Sequence, residues 1–386
     1  MARLSVIAAI AKRMLATGPD DVTNLRVVIP ARTATDFEIS VSHTFRTDPA
    51  LEREWNNLVA HSDANHPFVL WGWLTAWYRS FGTRHQPIIV RARRSGRLVG
   101  AAAFAECDGV VELAGRGPSD YLEILLSNRL DAEAATACCD LILATVRGHV
   151  RAFRCFNLVQ VRSDSITAKC LHGPSHGFLE STGPPQPAPC MDMSSVGKAL
   201  RKQSLRRHER GLERLGSVSR FTFTRADDVL PQLDDFFELH RQRWARTRFP
   251  SLFHDARNRE FYRTLTESLD SSGALRFSTV RLDDRLVAAH YGFYVGGRFV
   301  WYKPCFDPAL ARHSPGEVMI KYLLEFARSE GARIFDFTIG DEAFKMRFAT
   351  TVRNVVTVYL TDSKARYLVK RMRRTVASCL RAMSQR

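Results

Sequence analysis

Three side chains in the second half of the chain have the chemistry to move protons. His290 lies in the middle of an apolar strand pattern, and imidazole is the side chain that titrates nearest neutral pH. Asp336 alternates with two phenylalanines, so it is predicted to face away from them, although strand interiors disfavour aspartate. Tyr302 lies on a predicted strand that falls between those of His290 and Asp336 in the sequence. His290 or Asp336 could act as a base and Tyr302 as an acid. Each residue also has a structural interpretation. His290 could be a core histidine with its hydrogen bonds satisfied, Asp336 could pair with an arginine, and Tyr302 could be a core aromatic residue.

A second feature is the start of a helix that could bind an anion. Residues 312–316 read Arg-His-Ser-Pro-Gly and precede an apolar pattern of helical spacing. Ser314 at the N-cap and Pro315 at the first helical position predict a strong helix start, and Glu317 could complete a capping box. Glycine at position 316 would let a phosphate approach the free N–H groups, which the helix dipole also favours. An ordinary well-capped helix is the alternative.

Further charged residues flank this region. Asp341 and Glu342 follow the Asp336 strand and could form the first turn of a short helix, where acids offset the dipole. Residues 198–214 carry seven Lys or Arg, including Arg206, around a leucine face. This pattern predicts a basic helix, which is either a solvated surface or a cationic wall for an anionic ligand.

Several other classes of site are excluded by their missing motifs. The Gly-x-Ser-x-Gly match at 173–177 is followed by proline-rich chain where a nucleophile elbow needs a helix. No dinucleotide-binding or Walker A motif occurs. The eight cysteines include no Cys-x-x-Cys pair, and no histidine has metal-ligand spacing, so we expect buried thiols, no metal and a cytoplasmic protein.

The elements that would position these residues occur twice in the sequence. Five residues of one hairpin pattern recur 188 positions later: Arg93, Arg97, Leu98, Val99 and Ala101 reappear as Arg281, Arg285, Leu286, Val287 and Ala289. Gly, Ser and Asp at the tips predict tight turns with positive φ. Two helical patterns precede each hairpin, and a helix and a strand follow it, so the order α-α-β-β-β-α-β appears twice.

The repeat predicts an α/β (α+β) chain with two similar domains. Prolines and glycines between the copies predict a linker without helix or central strand. The expected segments are an N-terminal segment 1–44, a first domain 45–170, the linker 171–190, a second domain 191–362 and a C-terminal helix 363–386.

The C-terminal segment has two interpretations. Residues 363–386 carry eight Lys or Arg and no acid, and apolar residues recur at three- and four-residue spacing. The helix could pack its apolar stripe on the second domain, or lie on an anionic membrane leaflet.

Taken together, these stretches resemble the GNAT superfamily. More narrowly, they resemble the CelD-type, BioF2-like acetyltransferases found with bacterial cellulose and exopolysaccharide synthesis. The resemblance covers residues 45–360. It rests on the following stretches: Phe68 with the 71–77 helix, 97–100, the basic helix 201–216, 285–289, 306–308, 313–316, 336–337, 340–342 and 344–345.

The resemblance implies two tandem GNAT-like domains of the Fem type, each a mixed, mostly antiparallel sheet flanked by helices. It implies that acyl-CoA lies between two splayed strands, at 299–303 and 333–337, with its pyrophosphate on the following helix. The implied cofactor-binding residues are Arg312, His313, Ser314, Gly316 and Lys345. The implied substrate-binding residues are Trp301, Arg206, Asp341 and Glu342. Pro315 departs from the family pattern, because it removes one N–H from the phosphate-binding turn.

The function implied is transfer of an acyl group, acetyl from acetyl-CoA, to an amine or hydroxyl of a saccharide or cell-envelope precursor. We expect the protein in the cytoplasm, with the inner membrane as a possible peripheral site. Two alternatives stay open: a Fem-like transferase that uses aminoacyl-tRNA, and a non-catalytic adaptor in a polysaccharide-synthesis complex. Apart from tRNA in the first alternative, no nucleic-acid partner is expected.

Overall fold

A computed structural model describes residues 22–28, 36–173, 176–245, 247 and 249–384. For residues 22–28 and 376–384 we describe the backbone alone. Residues 1–21 of the predicted N-terminal segment, and Pro174 and Ser175 of the Gly-x-Ser-x-Gly match, lie outside this part of the chain.

The described residues form helices and strands, often in runs of two or more of the same kind. The helices are α1 (Pro49–Ala60), α2 (Trp71–Phe81), α3 (Ala132–His149), α4 (Ile166–Leu171), α5 (Val196–Leu200), α6 (Gln203–Glu213), α7 (Ala226–Val229), α8 (Leu233–Trp244), α9 (Ala256–Leu269), α10 (Pro315–Ser329), α11 (Ala343–Phe348) and α12 (Lys364–Ser384). The strands are β1 (Val22–Val28), β2 (Asp36–Ser42), β3 (Gln86–Arg94), β4 (Arg97–Cys107), β5 (Val110–Leu113), β6 (Leu125–Leu126), β7 (Cys155–Arg162), β8 (Leu179–Thr182), β9 (Gln186–Asp192), β10 (Val218–Phe223), β11 (Leu275–Leu282), β12 (Arg285–Val295), β13 (Arg298–Phe306), β14 (Ile334–Asp336) and β15 (Thr351–Thr361).

The chain packs into two compact units. The first comprises the described residues up to Leu74, Gly82–Gln186 and those from Asn354 onward, and the second comprises Thr75–Phe81 and Pro187–Arg353. The sequence analysis put residues 351–361 in the second domain, whereas β15 pairs with β7 and β8 of the first unit.

Each unit has a mixed sheet that is mostly antiparallel, which confirms the predicted fold class. In the first unit the strand order is β1-β2-β3-β4-β5-β7-β15, and β5 and β7 are the parallel pair. In the second unit the order is β9-β14-β13-β12-β11-β10, and β13 and β14 are the parallel pair. In the second unit, α10 and α6 pack together, and Leu205 and Leu212 of α6 are fully buried.

The repeated hairpins have the same local geometry. Residues 95–96, 108–109, 283–284 and 296–297 all have positive φ, as predicted for tight turns. In the first hairpin of each unit, the strand register shifts directly before the repeated arginine. The shift lies between Ala92 and Arg93 in the first unit and between Val280 and Arg281 in the second. Arg93 then donates to the Gly96 carbonyl (3.2 Å), and Arg281 donates to the Asp284 carbonyl (2.7 Å). The repeated arginines therefore close their own turns.

The proline-rich segment contains a strand that the sequence analysis excluded. β9 pairs antiparallel with β14 at residues 190–192. Pro187 and Pro189 use their carbonyls, which accept hydrogen bonds from the N–H groups of Gly340 (2.9 Å) and Phe337 (3.0 Å). The prediction was wrong because proline removes only the donor, and at these positions the strand needs acceptors.

The basic segment 198–214 is broken where a continuous helix was predicted. α5 ends at Leu200 and α6 begins at Gln203. Between them Lys202 adopts an extended ψ of 121°, which interrupts the helical backbone.

The C-terminal helix does not pack the described part of its apolar stripe on the second domain, which was one of its two interpretations. α12 contacts β8 of the first unit, while Leu368, Val369 and Met372 of its apolar stripe are exposed. The described part of the stripe is therefore not packed as a core. Val376, Leu380 and Met383, which continue the stripe in sequence, have side chains outside the described set.

The two first hairpins offer a matched test of turn strain. Asp284 has a φ of 65° and its counterpart Gly96 has a φ of 76°. Because a side chain at positive φ costs free energy that glycine avoids, we expect Asp284→Gly to stabilise the protein by about 1 kcal/mol. Gly96→Asp should destabilise it by a similar amount. Urea denaturation measures both, and equal stabilities for all three proteins would contradict the argument.

Candidate functional site

The parallel strands β13 and β14 separate after a short paired stretch. They pair at Arg298↔Ile334, Phe299↔Phe335 and Val300↔Asp336. β13 continues to Phe306, whereas β14 ends at Asp336. Strand pairing therefore ends after Val300, where the predicted splay between residues 299–303 and 333–337 would begin.

Asp336 fixes the point at which the two strands part. Its carboxylate is 1% exposed, pairs with the Arg298 guanidinium (2.8 Å) and accepts the N–H of Thr338 (2.8 Å). Thr338 has a φ of +59°, which turns the chain out of the strand, and its hydroxyl donates to the Trp301 carbonyl (3.3 Å). Both carboxylate oxygens of Asp336 thus have structural partners, which matches the ion-pair interpretation.

His290 lies under the same opening and also bonds the backbone. Pairing between β12 and β13 is irregular between Tyr291 and Phe293, and the Tyr302 N–H donates to Nε2 of His290 (3.1 Å). The ring is fully buried and stacks on Trp301 at 4.8 Å between centroids. Burial lowers the pKa of His290 to about 3.

This geometry is unsuited to general-base catalysis. A base needs a free lone pair near the acceptor. The Nε2 lone pair of His290 is occupied by a backbone N–H, so the proton of the neutral ring belongs on Nδ1, which is buried without a partner among the described residues. We therefore infer a structural role for His290, as for Asp336.

Gly292 makes room for the histidine ring. A Cβ at this position would collide with the imidazole and would lie 2.7 Å from the Val300 carbonyl oxygen. The glycine is therefore required by close packing rather than by its backbone conformation.

The helix that follows β13 begins close to the opening, but its cap differs from the prediction. Ser314 has a φ of 52° and ψ of 54°, and its hydroxyl makes no capping bond. Glu317 pairs instead with Arg347 (2.6 Å). The capping box was wrong because the left-handed conformation of Ser314 replaces the extended backbone that a capping side chain needs. Pro315 takes the first helical position, as predicted.

Gly316 presents the first N–H of α10. Pro315 has no N–H, and the Gly316 N–H has no partner among the described residues. A Cβ on Gly316 would lie 3.3 Å from the ring of Phe306, the last residue of β13. The helix N-terminus and the end of β13 are therefore in contact.

Three cationic or titratable side chains lie near this N-terminus. The Arg312 guanidinium donates to Nε2 of His313 (2.9 Å), directly before Ser314. Arg243 of α8 lies over the Phe306 ring, 4.5 Å from its centroid. The sequence analysis missed Arg243, because nothing in the spacing links a residue of α8 to a turn far along the chain.

Tyr302 lies beyond the opening, next to a cation. Tyr302 is 5% exposed, and the Lys303 ammonium is 4.2 Å from its ring centroid. His240 of α8 is also buried near these groups and hydrogen bonds Ser251 (2.8 Å). Burial, and to a smaller extent the charges of Lys303 and Arg243, lower the pKa of His240 to about 3.

The acidic stretch after β14 forms a closed turn. The Lys345 ammonium donates to the Ile339 carbonyl (2.6 Å) and pairs with Glu342 (3.0 Å). Gly340 has a φ of +133° and lies against both side chains. Glu342 precedes α11 as its N-cap residue, and Asp341 is exposed. Lys345, a predicted cofactor ligand, therefore holds this turn.

The predicted substrate residues are divided between the opening and the surface. Trp301 is 4% exposed and stacks between His290 and Phe344. Arg206 is exposed on α6. On the same helix Glu209 pairs with Lys321 and Arg220, both at about 3 Å, so this acid is paired with cations outside the basic segment. The structure groups Trp301 and Tyr302 with the splay, and it places Arg206 on a surface helix.

The first unit has the same parallel pair, but its own chain covers the strand edge. β5 and β7 pair at residues 110–111 and 155–156. Beyond them the Leu122 N–H donates to the Gln160 carbonyl (3.0 Å), and buried Glu123 pairs with Arg162 (3.0 Å). Residues 121–124 therefore lie along the edge of β7, and a cavity of about 300 Å³ in this unit is lined by residues that include Arg116, Gly117 and Gln160.

The buried ion pair at the splay gives a stability prediction. We expect Asp336→Ala to lower the free energy of unfolding by about 3–5 kcal/mol, because it leaves Arg298 buried without its partner. The Arg298→Met/Asp336→Asn double variant should lose less than the sum of its single changes. Urea denaturation measures both. Glu238→Ala, which removes an exposed pair with Arg241, is the control and should have no measurable effect. Full stability of Asp336→Ala with lost turnover would instead make Asp336 catalytic.

The buried histidine predicts a pH dependence of stability. The pKa of His290 is about 3 in the fold and near 6.5 in the unfolded chain. The unfolded state therefore takes up a proton first, and stability is lost as pH falls from about 6.5 towards 3. We expect His290→Ala to be less stable at pH 7 by about 1–3 kcal/mol, because the Tyr302 N–H loses its acceptor.

The same variant should lose less stability than wild type between pH 7 and pH 4, measured by thermal unfolding. The exposed His254→Ala variant serves as the control. Parallel pH profiles for wild type and His290→Ala would show that His290 titrates normally.

Comparisons with known proteins identify this arrangement. Residues 199–346 match the family model described as an acetyltransferase (GNAT) domain. No curated protein matches the sequence. The crystal structure of FemX is similar at a TM-score of 0.59 and 13% identity, covering 83% of this chain and 97% of that chain.

Two further structures are lipid-modifying enzymes by their names. The C-terminal domain of a putative lysylphosphatidylglycerol synthetase from Agrobacterium fabrum has a TM-score of 0.55 and 12% identity, covering 85% of this chain and 97% of that one. L-PGS from Bacillus licheniformis has a TM-score of 0.52 and 10% identity, covering 84% and 96%. At these identities the likeness shows the fold alone. The chain shares the fold of these three structures, and residues 199–346, within its second unit, match the GNAT-type acetyltransferase domain.

Proposed function

We propose that the second unit binds an acyl-CoA, acetyl-CoA in the first instance, and transfers its acyl group to an amine or hydroxyl of a saccharide or cell-envelope precursor. The observation that carries the proposal is the end of strand pairing between β13 and β14 beside the N-terminus of α10, within the stretch that matches a GNAT domain. The acyl chain would lie where the strands part, and the phosphates would lie at the helix end.

The helix end supports binding of a pyrophosphate. The Gly316 N–H points from a turn without side-chain bulk, and the dipole of a 15-residue helix favours an anion there. Arg312 and His313 precede it, and Arg243 lies across Phe306. These groups would supply charge that the single free N–H cannot, since Pro315 has none to offer.

In the proposed reaction, the acceptor nitrogen or oxygen attacks the thioester carbonyl and the C–S bond breaks. We propose Tyr302 as the acid that protonates the thiolate, with the Lys303 ammonium beside its ring stabilising the developing charge. We do not propose His290 or Asp336 as the base. Nε2 of His290 accepts the Tyr302 N–H, and the carboxylate oxygens of Asp336 accept from the Thr338 N–H and the Arg298 guanidinium. The acceptor proton would pass to water.

The narrower resemblance to CelD-type acetyltransferases supports a saccharide acceptor and a place in cellulose or exopolysaccharide synthesis. We do not propose Trp301 as an acceptor-binding residue, because it is buried between His290 and Phe344. Asp341 and Glu342 are exposed carboxylates after β14 that could bind acceptor hydroxyl or amine groups. Arg206 lies on α6 and would serve an anionic part of the acceptor.

A second candidate is transfer from an aminoacyl-tRNA. It is favoured by the fold shared with FemX and by the exposed arginines of the basic segment. A tRNA-dependent enzyme should bind with an affinity that falls steeply with salt, because many phosphates are neutralised. Acetyl-CoA should then give no stabilisation.

Titration with acetyl-CoA tests the proposal. At about 100 times its Kd, a ligand should stabilise the protein by about 2.7 kcal/mol, measured by thermal unfolding. We expect Gly316→Leu to weaken acetyl-CoA binding at least ten-fold, because the side chain would fill the approach to the free N–H and push on Phe306.

The matched control is Gly211→Leu, a helical glycine whose Cβ meets open space. Circular dichroism checks that both variants fold. Unchanged affinity in Gly316→Leu would remove α10 from the CoA site. A wild-type protein that shows neither an acetyl-CoA shift nor salt-dependent tRNA binding would favour the adaptor function.

A further inference from the structure

The C-terminal helix α12 is held to the first unit by its charged face. Arg366 donates to the Phe153 carbonyl (3.0 Å), and Arg374 donates to the Ser181 hydroxyl (2.6 Å). Between them the Lys370 ammonium lies 4.9 Å from the Tyr359 ring centroid. These three cations are spaced by four residues, so they form one face. A surface helix normally docks through its apolar face, and α12 does the reverse.

The opposite face of α12 presents an apolar ridge, which we define as Leu368, Val369 and Met372. Their exposed fractions are 56%, 44% and 62%. At 3.6 residues per turn the three lie within about 100° of arc, centred away from the docked cations. By sequence, Ala365, Val376 and Met383 fall on the same arc, and Leu380 falls at its edge. The first unit leaves the ridge uncovered.

Cations border the ridge on both sides. Lys364 and Arg371 fall along one border and Arg373 along the other, and all three are exposed. Residues 363–386 carry eight Lys or Arg and no acid. A second copy of this chain would bring like charges together across the ridge, whereas an anionic surface would neutralise them.

We propose that α12 lies in the plane of an anionic lipid surface, with the ridge inserted among the acyl chains and the bordering cations on the headgroups. Among the described residues no helix is long and apolar enough to cross a bilayer. The contact is therefore interfacial. It is independent of the proposed function, because these residues belong to the first unit, whereas the proposed site belongs to the second.

Co-flotation of the full chain with vesicles tests the proposal. One set of vesicles is pure phosphatidylcholine, and the other contains about one third phosphatidylglycerol. We expect recovery with the anionic set alone, decreasing at high salt. Leu368→Ser/Met372→Ser should lower the partition coefficient about ten-fold or more, because two apolar side chains no longer leave water. Lys364→Gln/Arg371→Gln should lower it about five-fold per charge.

The matched control is Leu215→Ser/Phe221→Ser, which removes two other exposed apolar side chains, 43% and 54% exposed, from outside α12. It should float like wild type. Unchanged thermal unfolding of the ridge variant shows that the fold is intact. The proposal is overturned if the ridge variant floats like wild type, if neutral vesicles bind equally well, or if sedimentation shows a dimer that Leu368→Ser dissociates.

Discussion

The end of pairing between β13 and β14 is the constraint on which the second unit depends. Opening a sheet in its interior leaves backbone N–H groups that lose their strand partners, and a buried unpaired N–H is costly. Asp336 accepts one such group, from Thr338, and His290 accepts the Tyr302 N–H at the neighbouring irregularity between β12 and β13. The two buried polar side chains therefore satisfy backbone groups where regular strand pairing is lost.

This explains why sequence reasoning located these residues but predicted a different role from the one that their contacts indicate. A carboxylate in a strand and a histidine among apolar residues indicate a polar side chain that needs a partner. The pattern cannot show whether that partner is a substrate or the backbone, because the deciding contacts join residues far apart in the chain. Arg298 is 38 positions from Asp336, and Arg243 reaches Phe306 from another helix.

Local features were more predictable. The four tight turns followed from their Gly, Ser and Asp residues, and α9 has the predicted bounds, since its signals lie within the segment. The errors arose where a residue acted outside its usual role. Pro187 and Pro189 serve as acceptors in a strand, and Ser314 adopts a left-handed conformation instead of capping α10.

Comparison of the two units shows what they share and where they differ. Both retain the hairpin arginines, and residues 121–124 lie along the strand edge of the first unit.

The composition of the first unit has a consequence for how the protein is made. Its sheet is completed by β15, which follows the whole of the second unit in sequence. During synthesis, β7 must wait without this neighbour while residues 187–353 leave the ribosome. That stretch contains nearly all of the second unit and can fold as it emerges. The second unit can therefore fold before the first unit is completed, although it is translated later. In the interval the edge of β7 has no strand partner and must be protected.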